Sequence, residues 1–150
     1  MKRAACLLLA LAAAAAGAQT PPRPAASGTV PGTVHCPTPE KTEARDLFGL
    51  WRAEMEGEQQ PFTVLFEKHP EIDDRVYGGI NRLGQQALLA GDVDDGVLTL
   101  DESDDGLQIS AVWSGNVLPN SCGKEIRGTW TNLKTDKDSG FVLRKAPGWR

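Results

Sequence analysis

Between Arg82 and Lys124 the chain carries no positive charge, while Asp92, Asp94, Asp95, Asp101, Glu102, Asp104 and Asp105 supply seven negative ones. All seven fall in or beside two turn signals, Asp94-Asp95-Gly96 and Asp104-Asp105-Gly106. Asp and Gly tolerate the positive φ of tight hairpins, so turn formation alone accounts for these pairs. Two sharper chemistries use the same residues. Asp101, Ser103 and Asp105, followed by Gly106, match the opening of a calcium loop, but its last ligand position is Val112, where a bidentate Glu is needed. This is half a calcium motif, and the sequence implies no cofactor. As a surface, Asp94, Asp95, Asp101, Asp104 and Asp105 are candidates to steer a basic protein partner, because patches of one sign raise encounter rates.

Catalytic signals are sparse. The histidines are His35, beside Cys36, and His69, before a proline in a turn. His69 with Glu67 or Glu71 is the one acid/base pair the spacing offers, and Glu54, Glu56 and Glu58 alternate as a solvated strand face does. No serine nucleophile elbow, His-Glu metal helix or glycine-rich phosphate loop occurs in the sequence. The expectation is a protein that is not an enzyme.

Lys2 and Arg3, the apolar run from Cys6 to Ala16 and the small residues Ala16-Gly17-Ala18 have the form of a secretory signal peptide over residues 1–18. Its removal leaves 14 Lys and Arg against 20 Asp and Glu, taking the formal charge from −4 to −6. An acidic chain without basic clusters disfavours nucleic acid, and the short leader run argues against stable membrane insertion. Cys36 and Cys122 then remain as a pair, most simply a disulfide in a periplasmic or secreted protein, worth roughly 4 kcal/mol by loop entropy.

The elements that must position these groups follow from composition and period. Residues 19–37, rich in Pro, Ala, Gly, Ser and Thr, form a flexible lead-in to a single domain over 38–150. Thr38-Pro39-Glu40 opens a short helix running to about Leu47, with Thr as N-cap. From Gly49 the period changes to two, interrupted by Gly, Pro, Asn and Asp. Trp51, Ala53 and Met55 share a face, as do Phe62, Val64 and Phe66. Further runs span Val76–Leu83, Gln86–Val93 and Val97–Leu100. Leu107, Ile109, Ala111 and Trp113 form one face of a sixth strand, Ile126, Gly128 and Trp130 of a seventh, and Phe141 and Leu143 of an eighth. Eight strands without intervening helices imply an all-β fold, an eight-stranded antiparallel up-and-down barrel with a short N-terminal helix; a sandwich is the alternative.

Gly49-Leu50-Trp51 after a short helix resembles the Gly-x-Trp that opens calycin barrels, the architecture of avidins and lipocalins. The resemblance implies a basic residue of the last strand packed over that tryptophan. Arg144 stands in the family's place, whereas strand parity puts Lys145 on the face of Phe141 and Leu143 unless a bulge intervenes. The polar residues with which avidins hold biotin have no counterparts here, so no biotin binding is expected.

Trp51, Trp113 and Trp130 sit at inward parity, either filling a core or lining a ligand site. Ala53, Gly78, Ala90, Ala111 and Gly128 are small inward candidates that could leave room for an apolar ligand. Leu65, Val112 and Val142 have outward parity and would suit a dimer if they adjoined. The functional expectation is a non-enzymatic envelope binding protein for an unknown protein or small apolar ligand, using a barrel mouth or the acidic hairpins. The alternative is an inhibitor of a basic secreted enzyme such as a lysozyme.

Overall fold

The computed structural model of the protein describes residues 36–148. The expected signal peptide over residues 1–18, most of the expected lead-in, His35 and Trp149 lie outside them. Eight strands run in chain order: β1 (Gly49–Met55), β2 (Phe62–Lys68), β3 (Val76–Arg82), β4 (Gln85–Asp94), β5 (Val97–Ser103), β6 (Ala111–Val117), β7 (Glu125–Asn132) and β8 (Lys137–Lys145). Each pairs antiparallel with its sequence neighbours, and β8 pairs with β1 to close the barrel. The expected up-and-down barrel is the fold, an architecture consistent with the calycin resemblance.

Alternation explains the strands. In β1 and β6 every second residue is buried, and the inward faces meet in one core around Trp51, Phe66, Leu89, Leu100, Trp113 and Leu143. The meander also sorts the connections. Those after β1, β3, β5 and β7 gather at one rim, here the far rim; those after β2, β4 and β6 lie at the other, the near rim, where β1 begins.

The near rim is closed by the N-terminal segment. Instead of the single helix expected from Thr38, a 3₁₀ turn (Pro39–Lys41) and a one-turn helix α1 (Ala44–Leu47) are separated by extended residues at Thr42 and Glu43. Thr38 makes no side-chain cap; Thr42 Oγ1 instead donates to Thr38 O at 3.0 Å, and Glu43 N donates to Asp46 Oδ2 at 3.0 Å to start α1 afresh. Trp51 Nε1 donates to Leu47 O at 2.7 Å, fixing α1 over the barrel floor. Parity decides which basic residue covers Trp51. Trp51 pairs in register with Lys145, whose Nζ lies 5.9 Å from the indole ring and donates to Asp46 O. Arg144 points outward to Glu54 at 2.9 Å. Burial pushes the Lys145 ammonium below the usual lysine range, with Asp46 opposing the shift.

Cys36 and Cys122 form the expected disulfide, joining the N-terminal segment to the β6–β7 connection across 86 positions. Among the described residues no helix is long and apolar enough to cross a membrane.

Three placements differ from expectation. Ala90 faces outward, because Leu89 takes the inward position of β4. Leu107 and Ile109 are not in β6 but in an exposed loop, 89% and 50% accessible, because the β5–β6 ladder ends at Glu102 and Ala111. Gly78 and Gly128 leave no ligand room. A Cβ on Gly78 would lie 1.8 Å from Leu65 O, and one on Gly128 2.0 Å from Ser114 O, so a neighbouring strand already occupies that space.

Candidate functional site

The far rim, opposite α1, is where a hollow barrel would open. Five inward residues, Phe62, Arg82, Glu102, Trp113 and Trp130, close it instead. Glu102, at inward parity on β5, is 1% exposed, and its Oε2 accepts the indole N–H of Trp113 at 2.8 Å and of Trp130 at 2.9 Å. Arg82, the last residue of β3, reaches across β4 and places Nη1 3.5 Å from Glu102 Oε1. Its guanidinium carbon sits 4.8 Å from the Phe62 ring centre and 5.5 Å from that of Trp130. The stronger hydrogen bonds to the carboxylate thus come from the two indoles, and the arginine makes one long contact. Arg82 Nε and Nη2 are buried without a partner, although buried donors are nearly always satisfied. The Phe62 and Trp130 rings supply a cation–π environment in partial compensation. Trp113 also meets Phe141 edge-on at 4.8 Å. Trp113, Trp130 and, at the other end, Trp51 therefore act as core and plug.

Sequence reasoning counted Glu102 among the turn acids and passed over Arg82. A signal existed, since each is a charged residue at inward parity on an otherwise apolar strand face. What links them is curvature, which brings β3 and β5 side chains together over β4.

The acidic hairpins do not adjoin. Asp94 ends β4 at the near rim, where the turn residues Asp95 and Gly96 have φ of 47° and 79° as a two-residue hairpin needs. Asp104 and Asp105 follow β5 at the far rim, about 20 Å away along a seven-residue strand. Successive hairpins of a meander alternate ends, which rules out one combined patch. Asp101 is exposed on the outer face of β5. Several acids have local duties. Asp92 pairs with Arg75 at 3.5 Å and Asp104 with Lys134 at 3.1 Å.

The calcium half-motif is likewise absorbed by its loop. Asp105 Oδ1 accepts the amides of Leu107 at 2.8 Å and Gln108 at 2.9 Å, and Ser103 Oγ lies 2.7 Å from Gln108 O. The Gln108 and Leu107 amides hold the Asp105 carboxyl below the usual carboxylate range. Among the described residues no group of three His, Cys, Asp or Glu side chains is arranged to hold a metal. His69 also serves a turn, its Nδ1 accepting the amides of Ile72 at 3.0 Å and Glu71 at 3.2 Å.

An open concavity lies on the outer wall. Register aligns Leu50, Leu65, Gly79 and Leu88 in one row across β1 to β4. Gly79 has no side chain, and the nearest atom to a Cβ built there is Ala87 O at 3.5 Å, so the row dips at its centre. The result is a groove of about 570 Å³, walled by Leu65, Tyr77 and Leu88 and overhung by Asp104, Asp105 and Gly106. Gly106 comes close to Leu88, whose Cδ1 would lie 3.3 Å from an added Cβ. Glu67, Asp104 and Asp105 line this groove, and among the described residues no Lys or Arg does. A second depression of about 270 Å³ shares Tyr77, Leu88 and Gly106 with the first and continues past Leu107 and Ile109. The three apolar residues of outward parity do not adjoin. Leu65, Val112 and Val142 lie on β2, β6 and β8, which are not neighbours, and Leu65 instead adjoins Leu50.

Compared with known proteins, the chain matches no family model and no curated protein, so its functional reading rests on this geometry.

Proposed function

We propose that the protein is a calycin-like, non-catalytic binding protein that works from the outer wall of its barrel, not from a hollow mouth. The observation that carries this reading is the groove over Gly79, whose volume of about 570 Å³ falls within the range of ordinary ligand sites. Its apolar floor and one-sided acidic rim offer affinity and orientation, while the Glu102 cluster fills the place where an internal ligand would enter. The Cys36–Cys122 disulfide supports function in an oxidising compartment, the periplasm or the exterior. An inhibitor of a basic secreted enzyme such as a lysozyme is the second reading, favoured by the acidic overhang of Asp104 and Asp105.

Gly79→Leu tests the reading, because it fills the groove from an outward strand position without touching the core. Titration with the neutral apolar dye Nile red should give saturable binding in the wild type and at least about tenfold weaker binding in the variant. Equal binding by the two proteins would exclude the groove.

A further inference from the structure

Resting on the binding reading above, we propose that the occupant of the groove is an extended segment of a basic protein, seating an apolar side chain over Gly79 with Lys or Arg beside it. Two depressions side by side, sharing Tyr77, Leu88 and Gly106, suit consecutive side chains of a peptide better than one compact small molecule. The barrel is closed, so a partner strand finds no free edge to extend the sheet and recognition must run through side chains.

Charge selects the segment. Glu67, Asp104 and Asp105 line the groove without a cation among them. Lys134 reaches Asp104, but both side chains are more than half exposed, at 69% and 55%, and such a pair exchanges readily for an incoming lysine or arginine. A second copy of this chain is a poor occupant. Its own charge is −4, and two such acidic rims would face one another.

Tyr77 is the only tyrosine of the chain and forms part of the groove wall, so fluorotyrosine labelling gives a single fluorine resonance at the site. Two short peptides serve as probes, one alternating Leu with Lys and one alternating Leu with Gln. The proposal expects the Lys peptide to move the resonance saturably and the Gln peptide to bind at least about tenfold more weakly. The double substitution Glu67→Gln with Asp104→Asn should weaken the Lys peptide about three- to tenfold, as two rim charge pairs allow. It leaves Asp105, which holds the loop, in place. Equal shifts by both peptides would overturn the charge argument while leaving the groove as a binding site. No shift by either would overturn the segment proposal, and the Nile red comparison would then show separately whether the groove binds at all.

Discussion

Removing Glu102 should cost far more than removing Arg82, although the two form an ion pair. Glu102→Leu keeps the side-chain volume but orphans the indole donors of Trp113 and Trp130, each at a cost of about 1–3 kcal/mol. It also loses the charge contact to Arg82, worth about 4–5 kcal/mol at an effective dielectric of about 20, while the added apolar contact of leucine returns about 1 kcal/mol, leaving a net loss of roughly 5–10 kcal/mol. For a domain of this size that lowers Tm by at least about 15 °C. Arg82→Met loses a charge contact at 3.5 Å, worth about 4–5 kcal/mol at an effective dielectric of about 20. It also removes two buried donors without partners, relieving about 2–6 kcal/mol, and methionine keeps the packing on Phe62 and Trp130. The net change should lie between a loss of about 3 kcal/mol and a gain of about 2 kcal/mol, below the loss in Glu102→Leu. Urea denaturation followed by tryptophan fluorescence and near-ultraviolet circular dichroism measures both. A loss in Arg82→Met equal to that in Glu102→Leu would refute the view that the indoles hold the plug.

Adjacent glycines should respond oppositely. Gly78→Ala forces a Cβ to within 1.8 Å of Leu65 O and should abolish folding or cost more than about 4 kcal/mol, whereas Gly79→Ala meets only Ala87 O at 3.5 Å and should be neutral or mildly stabilising by thermal melting. Replacing Cys36 and Cys122 together by Ser should cost about 4 kcal/mol in urea denaturation, given the 86-position separation. The depressed Asp105 carboxyl contributes loop stability that is complete above the usual carboxylate range and is lost as pH falls through its lower folded value. The amide resonances of Leu107 and Gln108 should therefore titrate with a midpoint below the usual carboxylate range; a midpoint within that range would contradict the hydrogen bonds assigned to Asp105.

Strand parity made most of the barrel legible, since one inward face was written into Trp51, Ala53 and Met55 and repeated around the closure. It also carried Lys145 to the face over Trp51. Parity failed where alternation continued without a ladder. Leu107 and Ile109 keep the period of β6, but Ser110 N turns back to Glu102 O at 2.7 Å and Asp105 closes the loop before pairing can begin. The N-terminal helix failed for a local reason, as Thr42 satisfies Thr38 O with its side chain and the backbone restarts at Glu43.

The site was less legible than the fold. The plug needs side chains from β2, β3, β5, β6 and β7, and only the curvature of the closed sheet brings Arg82 to Glu102. The groove arises from an absent side chain at Gly79 and from the Asp104–Gly106 overhang across Leu88, a long-range contact without a periodic signature.

Wall and mouth are separated most directly by mapping backbone amides and indole N–H groups by NMR while the Leu-Lys peptide is titrated in. The account predicts shifts concentrated on Leu65, Gly79, Leu88 and the Asp104–Gly106 loop, with the Trp113 and Trp130 indole resonances unmoved. Shifts centred on those two indoles and on Arg82, with the wall unchanged, would contradict it.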